Sequence, residues 1–144
     1  MTSIPPAAEA ARPLARGAYS GEVGAGADSI EFTVSPNRLA LSIDVLTVTA
    51  PCTNGRDYTA VLEGRLRVRT NGRFSGRVEE NLETEPFVTR SDAVVSGRFT
   101  DRGRRASGRI RSRVEGEGGT SCDSGSTAFM ARLAGRRRAP RLTG

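Results

Sequence analysis

Residues 91–133 read SDAVVSGRFTDRGRRASGRIRSRVEGEGGTSCDSGSTAFMARL, and their spacing sets the architecture of the chain. Ala93, Val95, Gly97 and Phe99 alternate with Ser96 and Arg98. Beyond a turn of arginine and glycine, Ala106, Gly108, Ile110 and Val114 alternate with Arg109, Arg111 and Arg113. A period of two places one set of side chains on a core and the other in water, the pattern of a half-buried β-sheet. A glycine-rich hinge, a cysteine and a closing strand from Ser126 to Leu133, with Thr127, Phe129, Ala131 and Leu133 in phase, complete the stretch.

The same grammar extends upstream. Tyr19, Gly21 and Val23 face inward from a strand over residues 17–23, and GAGADS turns it into Ile30, Phe32 and Val34. Ser35-Pro36-Asn37-Arg38 suits a type I turn, with proline at its second position and asparagine at its third. A third strand then carries Leu39, Leu41, Ile43 and Val45 inward. After Val45 the apolar residues move to Leu46, Val48 and Ala50, which a regular strand cannot do without turning its other face to the core. This predicts a β-bulge or a corner near residues 44–46.

The loop PCTNGRD leads into a strand from Tyr58 to Arg69, and the hairpin that follows can be tested for consistency. A two-residue Asn71-Gly72 turn would pair Arg69 with Phe74 and mix the faces. A three-residue loop, Thr70-Asn71-Gly72 with Gly72 left-handed, pairs Val68 with Phe74 and Leu66 with Gly76 and keeps the faces apart. It also sets Arg69 opposite Arg73 and Arg65 opposite Arg77 on the water side, with Glu63 and Glu79 as the nearest counter-charges. An acidic loop (Glu79, Glu80, Glu83, Glu85) precedes one long strand, because the inward phase from Phe87 through Thr89, Ser91 and Ala93 to Phe99 never breaks.

The count is eight strands, beginning near residues 17, 29, 38, 58, 73, 87, 105 and 126. The expected fold is all-β: a single-domain eight-stranded antiparallel meander over residues 17–134, closed as an up-and-down β-barrel or a flattened β-sandwich. Residues 1–16, rich in alanine and proline without a periodic apolar face, are expected to be a disordered leader or linker, with a short helix over residues 7–16 as the alternative. Residues 135–144 form a basic tail.

Cys52 and Cys122, seventy positions apart, lack metal-ligand spacing, and a disulfide is the natural reading against two unrelated thiols. The strand count checks it. With eight strands the loop holding Cys52 follows the third and the loop holding Cys122 follows the seventh, at the same end of the meander; nine strands would put them at opposite ends. A disulfide implies an oxidising compartment. The opening MTSIPPAAEAARPLARG contains no apolar signal-peptide core, so a leader already removed, a misplaced start or reduced thiols remain open. No stretch reaches the length of a transmembrane helix.

The 144 residues carry a formal net charge of +6, and all 22 basic residues are arginine, with no lysine and no histidine. Codon bias in a GC-rich genome explains such usage as readily as selection for guanidinium chemistry. Without histidine the commonest general base, metal ligand and pH switch are missing. Cys122-Asp123-Ser124-Gly125 echoes the D-S-G around a protease nucleophile, yet the chain holds neither histidine nor lysine to activate Ser124. The acidic loop lacks the spacing of a calcium-binding EF-hand. No metal site, cofactor or catalytic residue is therefore expected, and the chain is expected not to be an enzyme.

With these residues in place, the chain resembles a group of small, mostly uncharacterised secreted β-proteins common in actinobacteria. The shared features are Gly17-Ala18-Tyr19-Ser20-Gly21, Ile30 to Val34, Cys52, Gly97-Arg98-Phe99, Ala106-Ser107-Gly108-Arg109-Ile110, Cys122-Asp123-Ser124-Gly125 and Ala131-Arg132. Relatives in that group usually have a leader peptide and often a tryptophan where this chain has Phe129-Met130. The resemblance implies extracytoplasmic placement, outside the cell or in its envelope, and a disulfide; it implies no activity.

One constellation points to a partner: the outward arginines Arg65, Arg67, Arg69, Arg73 and Arg77, continued by Arg98, Arg109, Arg111 and Arg113. Such a face suits an anionic surface or polymer. Nucleic acid fits less well, since single-strand binding interleaves aromatic platforms that this face lacks. The alternatives are a merely solvated charged face and, from the inward glycines Gly21, Gly76, Gly97 and Gly108, a small barrel holding an apolar ligand.

Overall fold

The computed structural model describes residues 11–136. Among them are nine strands: β1 (Gly17–Val23), β2 (Asp28–Val34), β3 (Ala40–Pro51), β4 (Asp57–Val68), β5 (Arg73–Glu80), β6 (Val88–Thr100), β7 (Arg105–Gly116), β8 (Ser121–Asp123) and β9 (Thr127–Arg136). Each strand from β1 to β7 pairs antiparallel with the next, and β9 pairs with both β7 and β1. The sheet closes on itself as a ring of eight strands, short of a regular barrel.

The ninth strand comes from a break in the eighth stave. β8 and β9 lie along the same edge of β7, with Asp123 opposite Arg113 and Thr127 opposite Ile110. Between them one backbone bond, Ser124 N–H to Ser112 C=O at 3.0 Å, remains, and side chains take the other places. The Ser124 hydroxyl accepts from Ser112 N–H at 2.8 Å, Asp123 Oδ1 accepts from Gly125 N–H at 2.8 Å, and Gly125 takes φ +66°. Cys122 thus belongs to a strand rather than to the expected loop.

The bulge near residues 44–46 is present. Phe32 pairs with Ile43 while Glu31 pairs with Val45, so Asp44 is the extra residue. The slip restores Leu46, Val48 and Ala50 to the core, where all are at most 1% exposed. Four residues expected inward face water instead. Val45 is carried outward by the bulge, Leu39 precedes β3 in its turn, Phe87 lies before a ladder slip between Val88 and Arg90, and Thr89 lies within it. The Thr70-Asn71-Gly72 loop forms as expected: Arg69 N–H donates to Arg73 C=O at 2.8 Å, Gly72 has φ +82°, and Val68 stands opposite Phe74.

The interior is filled by side chains. Tyr19 stacks on Phe32 with ring centroids 4.9 Å apart, Phe99 meets both edge-on, and Phe74 and Phe129 continue the cluster. Burying such rings is a large apolar contribution, with a further ~1 kcal/mol for well-oriented pairs.

Both mouths of the ring are covered. At one, residues 11–16 pack rather than forming the disordered leader or short helix expected from their composition. Pro13 is buried, Leu14 N–H donates to the Tyr19 hydroxyl at 3.1 Å, and that hydroxyl donates to Gly103 C=O. The segment lies so close that a Cβ on Gly72 or Gly103 would collide with the carbonyl oxygens of Ala11 or Arg12. At the other mouth Cys52 and Cys122 form a disulfide between the end of β3 and β8, staves that are not ring neighbours. Thr53 N–H donating to Ser121 C=O at 2.8 Å reinforces the tie. Residues 1–10, and the tail from residue 137 onward, lie outside the described residues.

Candidate anion-binding face

Register places the outward side chains of β4, β5, β6 and β7 in rows across the sheet. Nearest the Thr70–Gly72 loop the row is Arg69, Arg73, Arg98 and Ser107. The next is Arg67, Ser75, Ser96 and Arg109. The third runs Arg65, Arg77, Val94 and Arg111, and the fourth Glu63, Glu79, Asp92 and Arg113. All five arginines expected from sequence, with Arg98 and Arg109, are therefore exposed on one continuous surface.

The charge is uneven along it. Asp123 holds Arg111 in a two-pronged contact, Nη2 to Oδ2 at 2.7 Å and Nε to Oδ1 at 3.1 Å, and lies 3.6 Å from Arg113 Nε. The Arg111 hydrogen bonds first, the Gly125 N–H second, and the charges of both arginines hold the Asp123 carboxyl down at about 2. Arg90 pairs with Asp92 at 2.9 Å. Among the described residues, Arg65, Arg67, Arg69, Arg73, Arg77, Arg98 and Arg109 form no ion pair. Glu63 and Glu79 stand opposite one another as expected, one row away, without closing on Arg65 or Arg77. No side-chain hydrogen bond engages these seven among the described residues either.

Two grooves score this surface. One of about 630 Å³ is bordered by Arg69, Arg73, Arg98 and Arg109, with Ser75, Ser96 and Ser107 between them and Ala128 and Met130 on the far side. The other, about 460 Å³, is flanked by Arg77, Arg109 and Arg111 around Val94. They share Ser96 and Arg109 and so adjoin one another. Behind the larger groove Gly97 faces Gly108 across β6 and β7. A Cβ on Gly97 would lie 2.6 Å from Phe74 Cζ and 2.8 Å from Ser107 O, so the backbones pack there as only glycines permit. The serines and the groove were not singled out from sequence; the phase shared by Ser75, Ser96 and Ser107 with the arginines was the available signal.

The D-S-G serine is engaged structurally, its hydroxyl donating to Gly125 C=O at 2.7 Å as well as accepting from Ser112. Among the described residues no cluster of three or more acids or cysteines is placed to hold a metal ion, and no helix is long and apolar enough to cross a membrane. Compared with known proteins, the chain matches no protein-family model and no curated protein.

Proposed function

We propose that the chain is a non-enzymatic binding module of an oxidising, extracytoplasmic compartment, and that its arginine face takes an anionic polymer or surface. One observation carries the reading: seven exposed arginines on four adjoining strands, none ion-paired among the described residues, with Arg69, Arg73 and Arg98 directly side by side. Like charges in adjacent cross-strand positions repel, and a polyanion relieves the repulsion while releasing its own counterions. Guanidinium forks suit sulfate, phosphate and carboxylate alike. Extracytoplasmic placement is supported by the Cys52–Cys122 disulfide and by the resemblance to secreted β-proteins.

A small barrel for an apolar ligand, the second reading, has less behind it, because five aromatic rings occupy the interior and both mouths are covered. Nucleic acid is disfavoured because the rings bordering this face, Phe74 and Phe129, are buried and offer bases no open platform on which to stack.

The test is retention on immobilised dextran sulfate as salt is raised. With about five arginines engaged, affinity falls on the order of a hundredfold between about 50 and 200 mM salt. The triple variant Arg67→Ser/Arg69→Ser/Arg73→Ser loses retention while its melting temperature is equal or higher. Salt-insensitive affinity with unchanged retention would reduce the arginines to a solvated face.

A further inference from the structure

We infer that the occupant of this face is an anionic glycan: a hydroxylated polymer bearing sulfate, phosphate or carboxylate groups, seated along the two adjoining grooves. The inference rests on the arginine-face reading and narrows it by what lies between the charges. The hydroxyls of Ser75, Ser96 and Ser107 sit among Arg69, Arg73, Arg98 and Arg109, and all border the larger groove. No hydrogen bond of these three hydroxyls is present among the described residues. A serine hydroxyl both donates and accepts, which a polyol uses in full and a bare polyanion does not.

The spacing agrees. Serines interrupt the charge in two directions: along β5 Ser75 lies between Arg73 and Arg77, about 7 Å from each, and across the sheet Ser75 and Ser96 lie between Arg67 and Arg109. Charges so spaced, separated by neutral hydrogen-bonding groups, match a partner whose anionic groups are set apart by hydroxylated units. Half-exposed Val94 and Met130, each bordering one of the grooves, offer aliphatic contact to the C–H faces of such units. Inorganic polyphosphate, like the carboxylates of an acidic peptide, would accept from the serine hydroxyls but donate nothing back to their oxygens.

Displacement from immobilised dextran sulfate tests this, using soluble dextran sulfate, linear polyphosphate, polyglutamate and DNA at matched charge concentration. Soluble dextran sulfate is expected to displace the protein at a concentration about tenfold below the others, a few hydrogen bonds' worth of preference. The variant Ser75→Ala/Ser96→Ala/Ser107→Ala, whose melting temperature checks its fold, should lose most of that advantage while polyphosphate displaces it as before. Equal displacement by all four polymers, a preference for any of the other three, or a serine variant with its preference intact would each overturn the glycan assignment and leave the arginine face standing. Absence of salt-dependent retention would overturn both.

Discussion

Arg65 and Arg77 stand opposite one another where the β4–β5 ladder is interrupted. Arg67 pairs with Ser75 and Glu63 with Glu79 in one unbroken register, yet no pairing spans residues 64–66 and 76–78. Like charges on opposed outward residues oppose close approach there, whereas Gly64 and Gly76 on the inner side favour it by yielding space to Val78 and Leu66. Arg77→Glu turns the repulsion into a cross-strand ion pair worth about 0.5 kcal/mol. The melting temperature should rise by about 2 °C, and retention on dextran sulfate should drop. Lower stability would show that charge is not what interrupts the ladder.

The disulfide closes a loop with a sequence separation of 70 and ties two non-adjacent staves across one mouth of the ring. Constraining the unfolded chain over that length is worth about 4 kcal/mol. Cys52→Ser/Cys122→Ser should move the denaturant midpoint down accordingly, and protein from an oxidising compartment should take up alkylating reagent only after reduction. Two thiols alkylated without reductant would contradict the bond.

Tyr19 secures the other mouth. Tyr19→Phe keeps the stacking on Phe32 and loses the hydroxyl that accepts from Leu14 N–H and donates to Gly103 C=O. Leaving those backbone groups unpartnered costs about 1–3 kcal/mol. Trypsin cleavage after the exposed Arg16 should quicken in the variant. Unchanged cleavage would mean that residues 11–16 are held by packing alone.

How far these features were legible follows from what makes each of them. Strand order, the bulge at Asp44 and the Gly72 loop are consequences of side-chain phase, and phase is written along the chain. The pairing of Cys52 with Cys122 followed from strand parity in the same way. The break between β8 and β9 was not legible, because Ser124 replaces a ladder bond only once Ser112 on β7 is beside it. Residues 11–16 have no periodicity to read; they are held by backbone contacts to Gly72 and Gly103, glycines whose purpose shows only when the segment is in place. The five sequence-chosen arginines do share a face, but the groove among them depends on β6 and β7 meeting at Gly97 and Gly108. Alternation says which side a residue faces and nothing about how closely two strands approach.

Asp123 sets which arginines of the face are available. Its carboxyl, held at about 2 mainly by Arg111, lies below its ordinary value near 3.8, so the ionised form is favoured in the folded state. A depressed carboxyl contributes stability that is present above its ordinary value and is lost as pH falls through the folded one. The margin of the native protein over Asp123→Asn should therefore be constant from pH 8 to 5 and shrink between about pH 4 and 2. Because the side chain is 44% exposed, solvent screening keeps that margin small. Asparagine can still accept from Gly125 N–H, so the turn after β8 survives the substitution. Arg111 and Arg113 are released by it, and at neutral pH Asp123→Asn should bind dextran sulfate more tightly with a steeper salt dependence. A variant that is equally stable at every pH and no better retained would show that the Arg111–Asp123 pair neither stabilises the fold nor limits the face.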